Sequence, residues 1–585
     1  VEQPGLQVLS VDNLPTEFPL EASNHFSECL LPFVKEMVRR QFADCPWFGT
    51  TAKENWDHPV LKRAIIAEGG NLAQSYTHLK RAIEKSVGSS PVEMVTCTTR
   101  GRESKRVLLL GSGMVAGPLV DYLLRIEDVH VVIASNDRSE ATSLAKDRDR
   151  TEVVNLDVAN AAMVSQLVSR ADVVVSLVPA PLHPTVAQSC IKERKHMVTA
   201  SYISPAMRSL DEDAKQAGVA IMNEIGLDPG IDHLTAMRTI DEVKHEGGKI
   251  RSFISWCGGL PAPEFSDLPL AYKFSWSPRG VLTAGKNASR FKMAGKLEEV
   301  PGHRLLPSRF PTVPLGFSGF AFEGLANRDA LQYTDTYALP PVGEMETMFR
   351  GTLRYKGFAD MMYRFSRLGF LGTENMDGYE FRGWPDFLDK LLAPGSVHLT
   401  DGDRRRLIAE KAGFPDDGDP NAAGKFRDAL RFFGLLPGCA AGGAGGALAA
   451  PPANTPKTPL DMFCALLSRR LRYLPGERDM VVLQHEFGVE TRSGRRETRT
   501  STFVAYGGPQ YTAMAKTVGY PAAIAAELLL RGQIHERGVL APVSPHVYNP
   551  IIERLEKEGI RVTECTREGG GMVQGGLRCR DAGWP

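Results

Sequence analysis

The sequence predicts an α/β protein: a Rossmann-like doubly wound parallel sheet, then a second α/β domain with a mixed sheet and a helical insertion. Three observations lead there. An apolar run at 107–110 stops abruptly at Gly111-Ser112-Gly113, and a helix-like stretch follows. Short β-branched runs then alternate with helix-like stretches as far as Asn223, the pattern of a parallel sheet with helical crossovers. Past Gly226 the texture changes to loops dense in glycine, proline, aromatic and charged residues, and then to a mainly helical stretch at 358–480.

Size and composition limit the function. A chain of 585 residues exceeds what one core supports, so two to four domains are expected. Apolar residues at 43% and charged residues at 24% are usual for a globular protein. Lys+Arg and Asp+Glu balance at 69 each, which argues against nucleic-acid or membrane association driven by net charge. An anionic substrate must then be held by a few placed arginines. Nine cysteines, odd in number and scattered, make neither a zinc site nor a disulfide framework and fit a reducing compartment. No run is long and apolar enough to cross a bilayer. Val1 replaces an initiator Met and no signal-peptide pattern follows, so the chain reads as a fragment or processed piece whose targeting is not legible.

Residues 1–98 form a first unit, with an extended turn at 14–19 and helices at 21–40 and 59–85. They carry no nucleotide loop and no acid–base cluster, and read as a packing appendage. Residues 99–225 form the dinucleotide domain, with strands at 107–110, 129–134, 152–156, 172–178, 196–200 and 219–223. Gly111 makes the tight turn, Gly113 lets backbone approach a pyrophosphate, and Ala116 keeps the helix close to the strand. Free N–H groups at that helix start would hold phosphates. At the tip of the second strand stand Asn136 and Asp137, with Arg138 next. An acid there takes the adenosine ribose and favours NAD, whereas an arginine favours the 2′-phosphate of NADP. The reading leans to NAD and keeps NADP open.

Residues 226–512 form the second domain. A turn at 226–233 leads into a helix at 234–245, a strand at 250–256 precedes Cys257-Gly258-Gly259, and a helix is expected at 280–294. Arg328 and Arg354 lie beside turn glycines or in short strand-like segments. They are either solvated surface charges or planar forks for carboxylates. The Gly/Ala run at 438–452 reads as a surface loop, because no strand precedes its glycines and no Lys-Ser/Thr follows them. A hairpin is expected from 480–485 and 499–506 around Ser493-Gly494, and helices at 513–531 and 551–558. The segment 513–566 is expected to return to the first sheet, with 567–585 as a frayed tail.

Long motifs then carry a resemblance. Gly226-Leu-Asp-Pro-Gly-Ile-Asp-His233, Cys257-Gly-Gly-Leu-Pro-Ala-Pro-Glu264, Tyr272-Lys-Phe-Ser-Trp-Ser-Pro278, Asn327-Arg-Asp329 and Thr352-Leu-Arg-Tyr-Lys-Gly357 resemble saccharopine dehydrogenase (glutamate-forming). The resemblance is to the dehydrogenase half of bifunctional aminoadipic semialdehyde synthase, and it covers nearly everything from 105 to 565. The stretch 14–40 is similar to the tail of the lysine–ketoglutarate reductase half. The implied reaction is oxidation of saccharopine by a nicotinamide cofactor, followed by imine hydrolysis to glutamate and 2-aminoadipate 6-semialdehyde. By resemblance, Gly111, Ser112, Gly113, Met114, Val115 and Ala116 lie against the cofactor, Asn136 or Asp137 meets its ribose, and Val178 and Ala200 line its path. Ser201 and Tyr202 would touch cofactor and substrate. Arg328, Thr352, Leu353 and Arg354 match substrate-binding positions, and Asp228, Cys257 and Tyr202 are the catalytic candidates. Related chains have an acid directly after the second-strand serine, where this one has Asn136. The implied partners are saccharopine, a second copy of the chain and the reductase half, with cytoplasm or mitochondrial matrix as the compartment. Two alternatives stay open. One is a related enzyme: an NADP-dependent saccharopine reductase of lysine biosynthesis, or a dehydrogenase for a carboxylated polyamine. The other is a catalytically idle assembly domain.

Overall fold

The computed structural model describes residues 104–568, apart from 316–318, 377, 396–398, 415–419, 437–449, 452–454 and 456. It also describes a small antiparallel pair, Ala67–Glu68 with Asn71–Leu72. That pair falls inside the helix expected at 59–85. The intervening Gly69-Gly70 joins the two weakest positions for a helix in that stretch. The chain divides into two compact units, Val1–Arg100 and Gly101–Pro585. The expected helix at 21–40, most of the Gly/Ala run and the tail lie outside the described residues.

In the second unit the chain begins β1 (Lys105–Leu110), α1 (Ala116–Leu124), β2 (Val129–Ser135), α2 (Arg138–Ala145), β3 (Thr151–Asn155) and α3 (Ala161–Ser169). It continues β4 (Val173–Ser176), α4 (His183–Lys192), β5 (His196–Thr199), α5 (Pro205–Arg208), α6 (Asp211–Ala217) and β6 (Ala220–Met222). The strands are short and apolar because helices cover both faces of the sheet they form. Their order is β3-β2-β1-β4-β5-β6, every neighbour parallel. The order reverses between β1 and β4, and a crevice opens beyond their carboxyl ends at such a switch point. A further parallel strand, Gly538–Leu540, extends the sheet beside β6 from the far end of the sequence.

The second domain opens with α7 (Ile231–His245), β7 (Lys249–Pro261), α8 (Pro278–Ala284), β8 (Ser289–Met293), β9 (Lys296–Val300) and β10 (Phe322–Ala326). The helix expected at 280–294 is therefore short, and β8 pairs with β9 antiparallel where its second half was expected. Gly285 and Asn287 weaken the helix, and Ser289, Phe291 and Met293 are buried with period two, which is a strand's pattern. Then come α9 (Tyr333–Thr336), β11 (Thr347–Tyr355) and five helices, α10 to α14, between Phe358 and Arg470. The hairpin β12 (Asp479–Glu490) and β13 (Arg496–Tyr506) precedes α15 (Ala513–Leu530), β14 (Gly538–Leu540), α16 (Pro545–Lys557) and β15 (Thr563–Glu568).

The second sheet runs β9-β8-β11-β7-β12-β13-β15, with β10 also paired to β11. It is mixed, because β11 and β7 are parallel while β7 and β12 are antiparallel. One face, with Trp256, Phe349 and Leu353, joins the helical insertion in a single core. The other, with Phe253, Cys257 and Leu483, shares a core with α7, α15, α16, Val107 of the first sheet and Leu119 of α1. A shared core of this kind fixes the crevice between the two sheets.

Candidate active site

The first wall of the crevice is the glycine turn. Gly111 has φ of +102°, and a Cβ there would stand 3.2 Å from the Leu177 carbonyl oxygen, so the turn requires glycine. At Gly113 nothing lies within 4 Å of where a Cβ would be, which leaves backbone open to a ligand. Met114 is exposed and Val115 half-buried, and α1 starts at the buried Ala116 with no side chain capping its N–H groups. This wall fits a pyrophosphate. The Ser112 hydroxyl donates to the Ser135 Oγ at 3.0 Å, and the Asp137 N–H donates to the same oxygen at 3.1 Å, tying the turn to the tip of β2. Asp137 caps α2 by accepting from the Glu140 N–H at 2.9 Å. Asn136 and Arg138 beside it are exposed.

Val178 follows β4, and Ala200 and Ser201 follow β5, all half-buried around the switch point. His183, at the start of α4, was not singled out from the sequence. Its Nδ1 lies 3.0 Å from the Ser176 Oγ, and its Nε2 lies 2.8 Å from the Ser201 Oγ and 3.1 Å from the Thr199 Oγ1. Burial lowers its pKa to about 4, so the ring is neutral and fixes Ser201 through a hydrogen bond, not a charge.

Beyond the fifth strand the site becomes charged. The Tyr202 hydroxyl donates to Asp228 Oδ1 at 2.7 Å, and Arg350 Nη2 donates to the same oxygen at 2.6 Å. Arg350 also bonds Asp232 and lies 4.1 Å over the Tyr333 ring. Burial raises the Asp228 carboxyl above its ordinary value, against the lowering effect of Arg350. Burial and the Asp228 charge hold the Tyr202 phenol well above its usual range. Below lies His233, fully buried, with Nε2 2.9 Å from Glu224 Oε2 and Nδ1 2.6 Å from the Tyr337 hydroxyl. Burial would lower its pKa, but Asp232 and Glu224 outweigh it and raise the imidazole. Burial likewise works against the Glu224 and Asp232 carboxylates, and His233 pulls both below their ordinary values.

The strands explain why these groups meet. Arg350, Thr352 and Arg354 are alternate residues of β11 and share one face. On β7, Ser255 and Cys257 pair with Arg350 and Thr352 and share it too. Leu353 turns to the opposite face, against Gly258 and the insertion core, so only its backbone is on the site side. Cys257 is buried, and burial together with Asp228 and Asp232 pushes its thiol well above the usual range, leaving it neutral. Arg354 is buried, stacked 5.0 Å over Tyr272 and 5.2 Å over Phe358. Arg328 is exposed and lies 5.0 Å over the Tyr202 ring, and the Asn327 amide donates to the Tyr202 hydroxyl at 3.3 Å. Arg328, in the bend after β10, thus stands against the Tyr202 ring, while Arg354 lies near the end of β11, where it and Asp228 both act on Cys257. Arg350, Asp232, Glu224 and His233 were missed from the sequence. The i, i+2, i+4 spacing of 350, 352 and 354 was the signal available for Arg350.

A crevice of this kind, at a switch point and opening on an acid–phenol–guanidinium cluster, is how Rossmann-fold dehydrogenases are built, and the fold assigns the chain to that class. Family sequence models narrow it: residues 107–222 match the saccharopine dehydrogenase NADP binding domain and 226–560 the saccharopine dehydrogenase C-terminal domain. The chain belongs to the saccharopine dehydrogenase family. It is 42% identical over 465 residues to the saccharopine dehydrogenase [NADP(+), L-glutamate-forming] of Saccharomyces cerevisiae, covering 79% of this chain and 99% of that relative. It is 36% identical over 570 residues to the mitochondrial alpha-aminoadipic semialdehyde synthase of Bos taurus, covering 96% of this chain and 57% of that relative. The chain therefore spans little more than half the length of these longer relatives. The solved apo histidine-tagged saccharopine dehydrogenase (L-Glu forming) of Saccharomyces cerevisiae superposes with a TM-score of 0.67 at 41% identity, covering 79% of this chain and 100% of that one.

Proposed function

We propose that this chain oxidises saccharopine. Saccharopine, an oxidised nicotinamide dinucleotide and water give glutamate, 2-aminoadipate 6-semialdehyde, the reduced cofactor and a proton. One observation carries the reading: Arg328 lies over the Tyr202 ring, and Arg354, further along the strand that carries the Asp228-bound Arg350, is buried without a carboxylate partner among the described residues. Arg350, which like Arg328 faces the Tyr202 ring, is four positions from Arg354 along β11, about 13 Å at the usual rise. That spacing suits an extended substrate with carboxylates at both ends and a reacting amine between them. When bound, the nicotinamide accepts hydride. Asp228, more basic than an ordinary carboxylate, takes the proton of the secondary amine and releases it to solvent, then takes a proton from the attacking water and returns it to the departing glutamate nitrogen. Tyr202 passes or orients that proton, and Cys257 is a neutral wall. The NADP form is favoured over the earlier lean to NAD. Asp137 is engaged as a helix cap, while the exposed Arg138 makes no ion pair among the described residues. The family domain match and the printed name of the yeast relative support the same choice.

Similarity to the longer mitochondrial relatives supports a place in lysine degradation within the mitochondrial matrix, joined to a reductase half. Cofactor reduction by purified chain and saccharopine, with NADP against NAD, tests the reading. Arg354→Ala should abolish turnover and keep cofactor binding; unchanged turnover would refute the assignment.

A further inference from the structure

Four arginines in the described residues are buried: Arg350, Arg354, Arg364 and Arg404. Three of them pair with carboxylates: Arg350 with Asp228 and Asp232, Arg364 with Asp360, and Arg404 with Asp389 and Asp401. Arg354 bonds only the carbonyl oxygen of its neighbour Leu353, at 2.7 Å, and its Nε has no partner. Burying a guanidinium without a counter-charge is costly unless a ligand supplies one. Two further buried donors lie in the segment packed on it. The Tyr272 ring is beneath the guanidinium, and its hydroxyl, 1% exposed as a residue, has no acceptor for its proton. The Ser275 hydroxyl, on a residue 2% exposed, has no partner either.

These groups are brought together, below the surface, by β7 and β11. Gly258 lies against Leu353, so the next residues along each strand, Gly259 and Arg354, are neighbours. A Cβ on Gly259 would run into the Met514 methyl and stand 3.9 Å from the Ser275 Oγ, so Met514 walls the space beside Ser275. Asp479, a carboxylate close enough to raise the Tyr272 phenol, accepts from the Ala513 and Met514 N–H groups at 2.6 and 2.9 Å and is satisfied by the start of α15.

We infer that Tyr272 and Ser275 complete, with Arg354, a closed subsite for one terminal carboxylate of the substrate, and so determine specificity for an acidic amino-acid conjugate. The inference rests on the proposed function for the identity of that substrate, but not for the existence of the anion subsite. The aromatic ring fixes the plane of the guanidinium, and the two hydroxyls donate to a carboxylate that the guanidinium neutralises. A terminal methyl would leave these donors unpaired, and a terminal amide would offer one acceptor oxygen, no charge for the guanidinium and an NH2 facing a donor, which is the strong form of discrimination.

The test uses Tyr272→Phe, which keeps the ring under Arg354, and Ser275→Ala as a second variant. Calorimetry measures glutarate binding to the whole chain, and steady-state kinetics measure saccharopine turnover. Losing one hydroxyl that donates to a charged group should weaken glutarate binding and raise the saccharopine KM by about tenfold each, with a smaller fall in kcat. The KM for saccharopine amidated at the recognised carboxylate should be the same in variant and wild type. Glutarate binding unchanged in both variants, or absent from the wild type at millimolar concentration, overturns the subsite. Glutarate binding weakened by Tyr272→Phe in a chain inert towards saccharopine upholds the subsite and overturns the proposed function instead.

Discussion

Asp228 accepts hydrogen bonds from a neutral phenol and a charged guanidinium at one oxygen, and burial keeps it easier to protonate than an exposed aspartate. We predict that Asp228→Asn lowers kcat about a hundredfold, the scale of lost general acid–base catalysis, and flattens the acid limb of the kcat profile. Nucleotide affinity, measured by tryptophan fluorescence, should stay within about twofold because no α1 contact changes. The ion cluster beneath makes a separate prediction about stability. Glu224 and Asp232 have lowered folded values, so their contribution is present above the unfolded values of 4.5 and 3.8 and is lost as pH falls through the folded ones. His233 has a raised folded value, so its contribution is full below 6.5 and is lost as pH rises through the folded value. The cluster therefore stabilises most between about pH 4.5 and 6.5. His233→Gln should remove the alkaline decline of Tm that this cluster causes, and calorimetric scans from pH 5 to 9 check it. Asp228, with the opposite shift, trims the gain as it ionises.

Among the elements, α15 matters most for the nucleotide wall. A Cβ on Gly519 would stand 2.9 Å from the Val115 carbonyl oxygen and 3.0 Å from the Leu119 nitrogen, so α15 meets α1 backbone to backbone. Tyr122 on α1 adds a hydrogen bond to Glu527 at 2.8 Å. Gly519→Leu should lower stability by about 1–3 kcal/mol, the cost of overpacking a close contact. Nucleotide affinity should fall with it as α1 shifts, and chemical unfolding and fluorescence titration read the two effects. The Ala- and Leu-rich run from Ala513 made this helix legible, and the alternation up to Asn223 made the parallel sheet legible. Strand β8 was not, because Gly280 to Ala294 mixes helix formers with a period-two pattern only five residues long. The charged network was harder still. Arg350 sits in a strand whose sequence reads like any half-exposed one, and Glu224 and Asp232 look like turn acids until burial is known.

Across the molecule, every residue placed in the site lies in the second compact unit, after Arg100. The yeast relative, 99% covered by the match, aligns with only 79% of this chain. A chain starting at Gly101 is therefore predicted to bind nucleotide and turn over saccharopine within about twofold of the full one, since a unit with its own core folds alone. A large loss of turnover with nucleotide binding intact would give the first unit a part in catalysis. The glycine turn and the family motifs were readable because each depends on a few adjacent residues. The pairing of Arg354 with Tyr272 was not, because it depends on two distant segments meeting at the ends of strands.

The seventh strand of the first sheet, β14, comes from residues near the end of the chain, more than three hundred positions after its neighbour β6. A ribosome making this protein has thus extruded all of the mixed sheet except its edge strand β15 before the nucleotide-binding half can close its last edge. The early strands must wait with that margin bare, and a message cut short before Gly538 yields a product defective at its beginning as well as its end.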